Sequence, residues 1–445
     1  MRQNDLTKGH IGKGLLIFLL PLLASTLIQQ LYNTVDLIFV GKFCGTKATA
    51  AVGASSLMIT CLIGFFNGMA VGTNVVASHI YGKKDENSLK NTIQTVFIIG
   101  LIGGLILTII GMYFAPVFLK YMNTPRSIFD IATRYLRIYT LSMISVVIYN
   151  LFCGILRAIG DSKSPMIFQI FGGIVNVISD FIFIVILRMG VEGAAIATLL
   201  SQTFTAILTI ICFYRRKEQP KLQFTFKIFD MHIFKKILVI GVPSGIQSVV
   251  ITLSNIIIQS QINSFGVNAI ASFTAYFKVE LIIYLPIVVL GQALVSFVGQ
   301  NYGASQYDRI DKGVKYSIIV SVIVSIIVST LIIFNSDIVF GVFTSSKDVM
   351  IYGKNIISIT FPFYFLYAIL ECSSSKIRGI GVSIPPMLIT LCSFCGIRII
   401  ALIILIKKYN SISSIAATYP ISWLFAAILM ALYTNYIFNK KLQNK

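Results

Sequence analysis

Between Ile93 and Leu119 the chain runs for 27 residues without a single charged side chain. That exceeds the ~20 residues a helix needs to cross the hydrocarbon layer of a bilayer. The stretch has company: Leu15 to Val40 holds one charge, Asp36, and comparable runs recur along the whole sequence. Only 12% of the residues are charged, where a water-exposed domain carries about 25%, so lipid must cover much of the surface. Charged, Pro and Gly punctuation divides the 445 residues into twelve candidate spans. They lie near 14–41, 50–80, 92–119, 130–158, 165–187 and 192–214, then 234–264, 270–298, 313–335, 350–376, 384–406 and 411–438. The longest polar break, Arg215 to Lys236, separates six spans from six.

The net charge of +20 does not form a patch that nucleic acid could use, because the basic residues are scattered in short loops. It orients the helices instead. With both termini in the cytoplasm, 23 of the 36 Lys and Arg fall on the cytoplasmic side and 11 opposite, while Lys278 and Arg398 lie within spans. The loop before span 4, with Lys120, Arg126, Arg134 and Arg137, runs against that bias. The seven cysteines sit mostly in spans, and the Cys392–Cys395 CxxC lies in an apolar run, which reads as helix packing and not as a redox or metal pair. The polar N-terminal stretch leads into span 1 without a cleavage site, so that span reads as a retained helix.

The two halves are copies. LRAIGDSKSPM at 156–166 recurs as IRGIGVSIPPM at 377–387, with Arg157, Gly160, Pro165 and Met166 each matched 221 positions later. IYG at 80–82 answers NYG at 301–303 with the same offset, and Pro21 answers Pro243 one residue further on. An even number of spans in each copy predicts two six-helix lobes related by a pseudo-two-fold along the membrane normal, with a site in the cleft between them. The expected division is 1–214 for the first lobe, 215–233 for a cytoplasmic linker and 234–445 for the second lobe. In each repeated loop the Gly should end one helix and the Pro open the next.

Four of the 16 acids fall inside spans: Asp36, Asp180, Glu280 and Glu371. An ionisable group at such a place is costly unless it faces a cavity or a partner. Asp36 lies roughly 9 Å and Asp180 roughly 12 Å below the outer ends of spans 1 and 5, at 1.5 Å per residue. Thr198 reaches a similar depth in span 6, and Asn176 sits one turn from Asp180 on the same face. Two carboxylates with neutral oxygens suit a hard cation or protons. Polar stripes continue inward, through Gln29, Tyr32 and Asn33 on span 1 and Gln169 on span 5, where Gly172 and Gly173 are expected to open space. The repeat supplies a control. Asp36 and Asp180 answer Ile258 and Ala401 in the second half, and Asn176 answers Ile397, whereas Asn33 keeps its twin, Asn255. The acids are therefore not a requirement of the shared fold. Glu371, near Arg378 at the cytoplasmic end, has a weaker case than Glu280.

YNTVDLIFVG in span 1, GILRAIGDSKSPM after span 4 and NVISD…GVEGAAIAT across spans 5 and 6 resemble the multidrug and toxic compound extrusion (MATE) family, nearest its bacterial MepA-like branch. The resemblance covers essentially the whole chain. It implies a secondary transporter, not an enzyme, without a cofactor, that exports cationic amphipathic drugs or dyes in exchange for H⁺ or Na⁺. The coupling cation would fall on Asp36, Asn176, Asp180 and Thr198. A substrate cavity would draw on Gln29, Tyr32, Asn33, Tyr139, Asn150, Gln169, Asn255, Gln259 and Glu280, with Pro21 as a hinge in span 1. Some relatives carry a further acid in span 7, where this chain has only Gln247, Asn255, Gln259 and Gln261. A monomer in the cytoplasmic membrane of a bacterium, in contact with lipid and not nucleic acid, is the expected setting. The alternative within the same superfamily, a lipid-linked oligosaccharide flippase, calls for a basic cavity, and the spans hold four acids against two bases.

Overall fold

The computed structural model describes residues 4–215, 228–344 and 346–443, with side chains through Ile437. Sixteen α-helices follow one another and no strand occurs among the described residues. In the first half they are α1 (Ile11–Phe39), α2 (Thr46–Gly82), α3 (Glu86–Tyr121), α4 (Arg126–Leu141), α5 (Met143–Ala158), α6 (Lys163–Asp180) and α7 (Gly190–Tyr214). The second half adds α8 (Met231–Asn263), α9 (Val267–Gly303), α10 (Tyr307–Phe334), a short α11 (Ser336–Gly341), α12 (Lys347–Thr360), α13 (Tyr364–Gly379), α14 (Ile384–Leu391), α15 (Arg398–Tyr409) and α16 (Ile412–Gln443). Eleven of the resulting segments are long and apolar enough to cross a membrane, and the α4–α5 pair, bent by 46°, makes a twelfth.

Nothing in the spacing of span 4 announces its bend. Ser142 supplies the cause, because its hydroxyl donates to the Tyr139 carbonyl at 2.7 Å while Thr140 donates to that of Arg137 at 2.8 Å. Side chains that bind the preceding turn compete with the helical ladder and kink it. The second copy breaks at the same place by other means. A 3₁₀ turn at Phe361–Phe363 separates α12 from α13 around Pro362, whose missing N–H cannot continue the ladder.

The repeat is visible in the backbone. Gly45 and Gly266 have φ of 84° and 88°, Gly160 and Gly381 have 81° and 88°, and even Lys84 and Ser305 match at 58° and 60°. Only a constant local geometry keeps three left-handed positions in step. Gly160 needs its missing Cβ for a second reason, since a methyl there would collide with the backbone of Asn4. The glycine and proline assignments in the repeated loop hold: α6 begins two residues before Pro165, and α14 begins on the Ile384–Pro385–Pro386 turn.

Packing divides the chain into two units, Met1–Thr7 with Leu16–Gly245, and Lys8–Leu15 with Ile246–Lys445. The division falls later than the expected lobe boundary, because the first half of α8 belongs to the first unit. Gly72 of α2 lies so close to α8 that a Cβ would stand 2.6 Å from the Ile237 carbonyl oxygen. Small residues let helix backbones meet in this way. Most of the expected linker, Arg216–Lys227, lies outside the described residues. In the second unit the guanidinium of Arg309 donates to the carbonyls of Gly9 and Lys8 at 2.9 and 2.8 Å. Two of the basic residues before span 4 also have local partners: Arg134 pairs with Glu192 at 3.1 Å, and Arg137 donates to the Met112 carbonyl at 3.2 Å.

Gly154 of α5 faces α2, and a Cβ there would lie 2.6 Å from the Ala70 carbonyl oxygen. Gly154→Val should therefore force the two helices apart and destabilise the first unit by about 1–3 kcal/mol. A lowered thermal unfolding midpoint of the purified protein is the expected readout.

Candidate functional site

Asp36 lies on α1, one turn before a π-helical segment, Val40–Cys44, that continues the span. Asp180 is the last residue of α6, immediately before a second π-helical segment, Phe181–Ile186. The two π segments pack against one another, and both pack against α7. A π turn widens the helix and redirects the side chains beside it, which is why such turns gather at functional positions. The acids stand just before these segments, close enough across α1 and α6 for each carboxyl to feel the other's charge.

Neither acid meets a donor that would satisfy it. Among the described residues, Asp36 Oδ1, both oxygens of Asp180 and Asn176 Oδ1 are buried without a hydrogen-bond partner. Asp180 is 0% exposed and Asn176 1%. Buried acceptors with no donor are rare in folded proteins and cost free energy unless something fills the gap. Three carboxylate oxygens and one amide oxygen without a partner are the chemistry that a positive particle, a proton or a hard cation, would satisfy.

The surroundings are layered along the helices. One turn further out, Val40 and Ile184 join Tyr135 and Ala194 in a buried apolar cluster. One turn inward, the Tyr32 hydroxyl accepts from Gln169 Nε2 at 2.9 Å and from Gln202 Nε2 at 3.3 Å. Tyr139 stands beside Tyr135 with ring centroids 6.0 Å apart, and both rings are close enough to Asp36 to feel its charge. Thr198, the third helix's contribution, donates its hydroxyl to the Ala194 carbonyl at 3.1 Å and keeps its lone pairs. Thus Asp36, Asn176 and Asp180 are brought together, and Tyr32 and Gln169 form a bonded layer beneath them. Gln29 and Asn33 are exposed on α1, and Asn150 is half-buried on α5, where it donates to the Val146 carbonyl at 2.9 Å.

The space expected at Gly172 and Gly173 is filled. Gly172 receives the Thr205 methyl, and a Cβ at Gly173 would stand 3.3 Å from Cδ1 of Tyr32. The glycines admit neighbouring helices instead of opening a cavity. Pro21 lies inside α1 without interrupting it. Two contributors escape a reading of the sequence alone, Tyr135 and Gln202. Each stands one turn from a residue already singled out, Tyr139 and Thr198, so the i, i+4 rule is the available signal.

The second unit treats its acids differently. Glu280 accepts from the Tyr276 hydroxyl at 3.2 Å and from Tyr364, and the buried Arg398 contributes attraction nearby. Arg398 itself donates to Ser422 at 2.9 Å and stacks 4.2 Å from the Phe394 ring centroid. Glu371 pairs with Arg378 at 2.7 Å, as a structural acid would. Gln259 donates to Asn263 at 2.9 Å, and Asn255 is exposed on α8. Ile258, the twin of Asp36, is wholly buried in the apolar core.

A family model described as MatE matches residues 21–182 and again 243–404, once in each copy. The chain belongs to the MatE family. It is accordingly a MATE transporter of the multi-pass membrane kind. Among curated proteins it is similar to the probable multidrug resistance protein YoeA of Bacillus subtilis (strain 168), 26% identical over 98% of this chain and 96% of that one. It is also similar to the multidrug export protein MepA of Staphylococcus aureus (strain MSSA476), 23% identical over 84% of this chain and 83% of MepA. Among solved structures, one described as MATE in the bent conformation superposes with a TM-score of 0.93 at 23% identity, covering 100% of both chains, which shows a shared fold.

If the orphaned oxygens set the local energetics, giving the pair a donor should relieve it. Asp180→Asn should unfold at the same temperature as the parent or higher, because its amide can donate to Asp36. Asp180→Leu, which leaves Asp36 alone in an apolar site, should unfold lower. Thermal unfolding of the three proteins side by side distinguishes these outcomes.

Proposed function

We propose that this transporter is a multidrug antiporter that exports cationic amphipathic compounds and takes up H⁺ or Na⁺ at the Asp36–Asp180 pair. The observation that carries the reading is the cluster of four buried acceptor oxygens without a donor at Asp36, Asn176 and Asp180. Two facing carboxyls in a low-dielectric site cannot both remain bare anions, so the pair holds one proton or one cation and behaves as a single coupled unit. The names of the relatives, a multidrug resistance protein and a multidrug export protein, support the substrate class.

The cycle follows from differential affinity. From the outer side, under the apolar cap of Val40 and Ile184, the ion enters and neutralises the pair. The polar layer of Tyr32, Gln169 and Gln202 is coupled to that event because Tyr32 and Asp36 stand one turn apart on α1. Ion binding then shifts α1, with Pro21 as the point where the missing N–H leaves the helix most easily bent. Tyr32 and Tyr139 offer aromatic faces to a planar cation. Exchange of charge across the membrane supplies ~2.3 kcal/mol per charge per 100 mV. Both termini lie in the cytoplasm of a bacterium, and the working unit is the monomer.

Asp36→Asn and Asp180→Asn should each reduce drug efflux to background while the protein stays folded and membrane-inserted. Efflux from cells loaded with a fluorescent cation measures this; full gradient-dependent export by both variants would sink the assignment. Transport into vesicles with separately imposed Na⁺ and pH gradients identifies the coupling ion. If the ion is the proton, outward drug flux should rise with external acidity in the parent and lose that dependence in both Asn variants.

A further inference from the structure

A cavity of about 350 Å³ lies in the second unit between α10, α13 and α16. Its chemistry is graded along the helices. Asp311, Lys315, Lys376, Thr434 and Asn435 lie toward one end, and Ile318, Ile369 and Ala431 toward the other. Helix direction produces that order. Asp311 and Lys315 fall in the first turns of α10, with Ile318 deeper, while α13 and α16 run the opposite way and bring Lys376 and Asn435 to the same end. Lys376 Nζ stands 2.6 Å from Asp311 Oδ1, so that acid neutralises one lysine. Lys315 leaves the polar end with a net positive charge.

The repeat shows that the fold does not require this space. Ile318 and Ser373 answer Phe97 and Phe152 with the 221-residue offset, and Phe213 falls at the place of the Thr434–Asn435 pair. In the first unit those three rings pack edge to face, with centroids 6.4 and 4.9 Å apart, and all are buried. Lys315 and Lys376 likewise answer Gln94 and Ile155. The second copy has a cavity with a cationic rim where the first has an aromatic plug. Dense packing is the norm for such interiors, so an opening of this size is a departure from it.

We propose that this cavity binds the head group of an anionic phospholipid, with the phosphate at Lys315 and Lys376 and the start of an acyl chain along Ile318, Ile369 and Ala431. The depth fits. Asp311 lies four residues into α10 and Lys376 five residues before Gly381, which places the charges roughly 6–8 Å from the loop ends, at the level of lipid head groups. The amines of Lys315 and Lys376 and the hydroxyl of Ser373 suit phosphate oxygens, and a graded wall suits a molecule with a charged head and an apolar tail. With the termini oriented as above, the site faces the cytoplasmic leaflet, where anionic lipid attracts basic residues.

Native mass spectrometry of the purified full chain tests this, with phosphatidylglycerol, phosphatidylcholine and inorganic phosphate as separate probes. The parent should retain phosphatidylglycerol in preference to phosphatidylcholine. Lys315→Gln, a change at an exposed side chain, should lower that retention about five-fold, the effect of one interfacial charge. Ser373→Phe, which restores the ring of the first copy, should remove it. Equal retention of the two lipids, or retention indifferent to Lys315→Gln, overturns the proposal. Inorganic phosphate binding with the same Lys315 dependence, and displacing the lipid, overturns it in favour of a soluble anion. Should Ser373→Phe fail to fold, Lys315→Gln decides the matter alone.

Discussion

A buried acceptor that finds no donor is costly, and a mobile positive charge can supply what the protein withholds. Inside a bilayer this constraint is sharper than in water, because lipid offers no hydrogen bonds at all. The rest of the first unit obeys it closely. Thr, Ser and Asn side chains along the helices return their protons to carbonyls one turn back, as Thr198 does to Ala194 and Asn150 to Val146. Exceptions occur at Gln94 on α3 and, gathered together, at Asp36, Asn176 and Asp180. Surrounding order throws that last exception into relief: partnerless carboxyl oxygens stand together beneath an apolar layer.

The duplicated scaffold separates what the fold needs from what the function needs. Left-handed glycines, the break in the α-helix of spans 4 and 10, and the loop prolines recur in both copies, so they serve the architecture. The acid pair does not recur. At the place of Asp36 the second unit buries Ile258 among apolar neighbours, and its remaining acids within spans are tied to tyrosines or to Arg378. The same comparison runs in the other direction at Phe97, Phe152 and Phe213, where the first copy is the bland one. Each copy keeps the scaffold and places its departures from it at a different polar site.

How much of this is legible in the sequence depends on periodicity. Helix number, the repeat and the shared depth of Asp36 and Asp180 all follow from spacing along one chain, and spacing survives folding. Contacts between helices do not. Gly172 and Gly173 suggest open room, and they instead seat Thr205 and Tyr32, because a small residue permits close approach as readily as a void. Glu280 reads as a cavity acid, since nothing in the sequence places Tyr364 or Arg398 beside it. The bend at Ser142 is hidden for a related reason: a serine in a span is compatible with a straight helix until its rotamer binds the carbonyl behind it.

The π segments join these points into one account. A regular α-helix would carry Asp180 and Asn176 on one face but would leave the residues after Asp180 in step with those before it. Widening the turn at Phe181–Ile186 shifts that register, and the matching segment at Val40–Cys44 does the same for span 1. The shifted turns meet each other and α7, and they place apolar Val40 and Ile184 directly beyond the acids. A site of this kind needs its outer side dry, and one irregularity in each helix sets the apolar residues beyond the acids. The second copy also has a π segment, Cys392–Ile397, but it carries no acid and leads to Arg398 instead. That segment answers 171–176 of the first copy, and among the described residues the places of Val40–Cys44 and Phe181–Ile186 carry no π segment in the second copy, so the facing pair of π segments belongs to the first half.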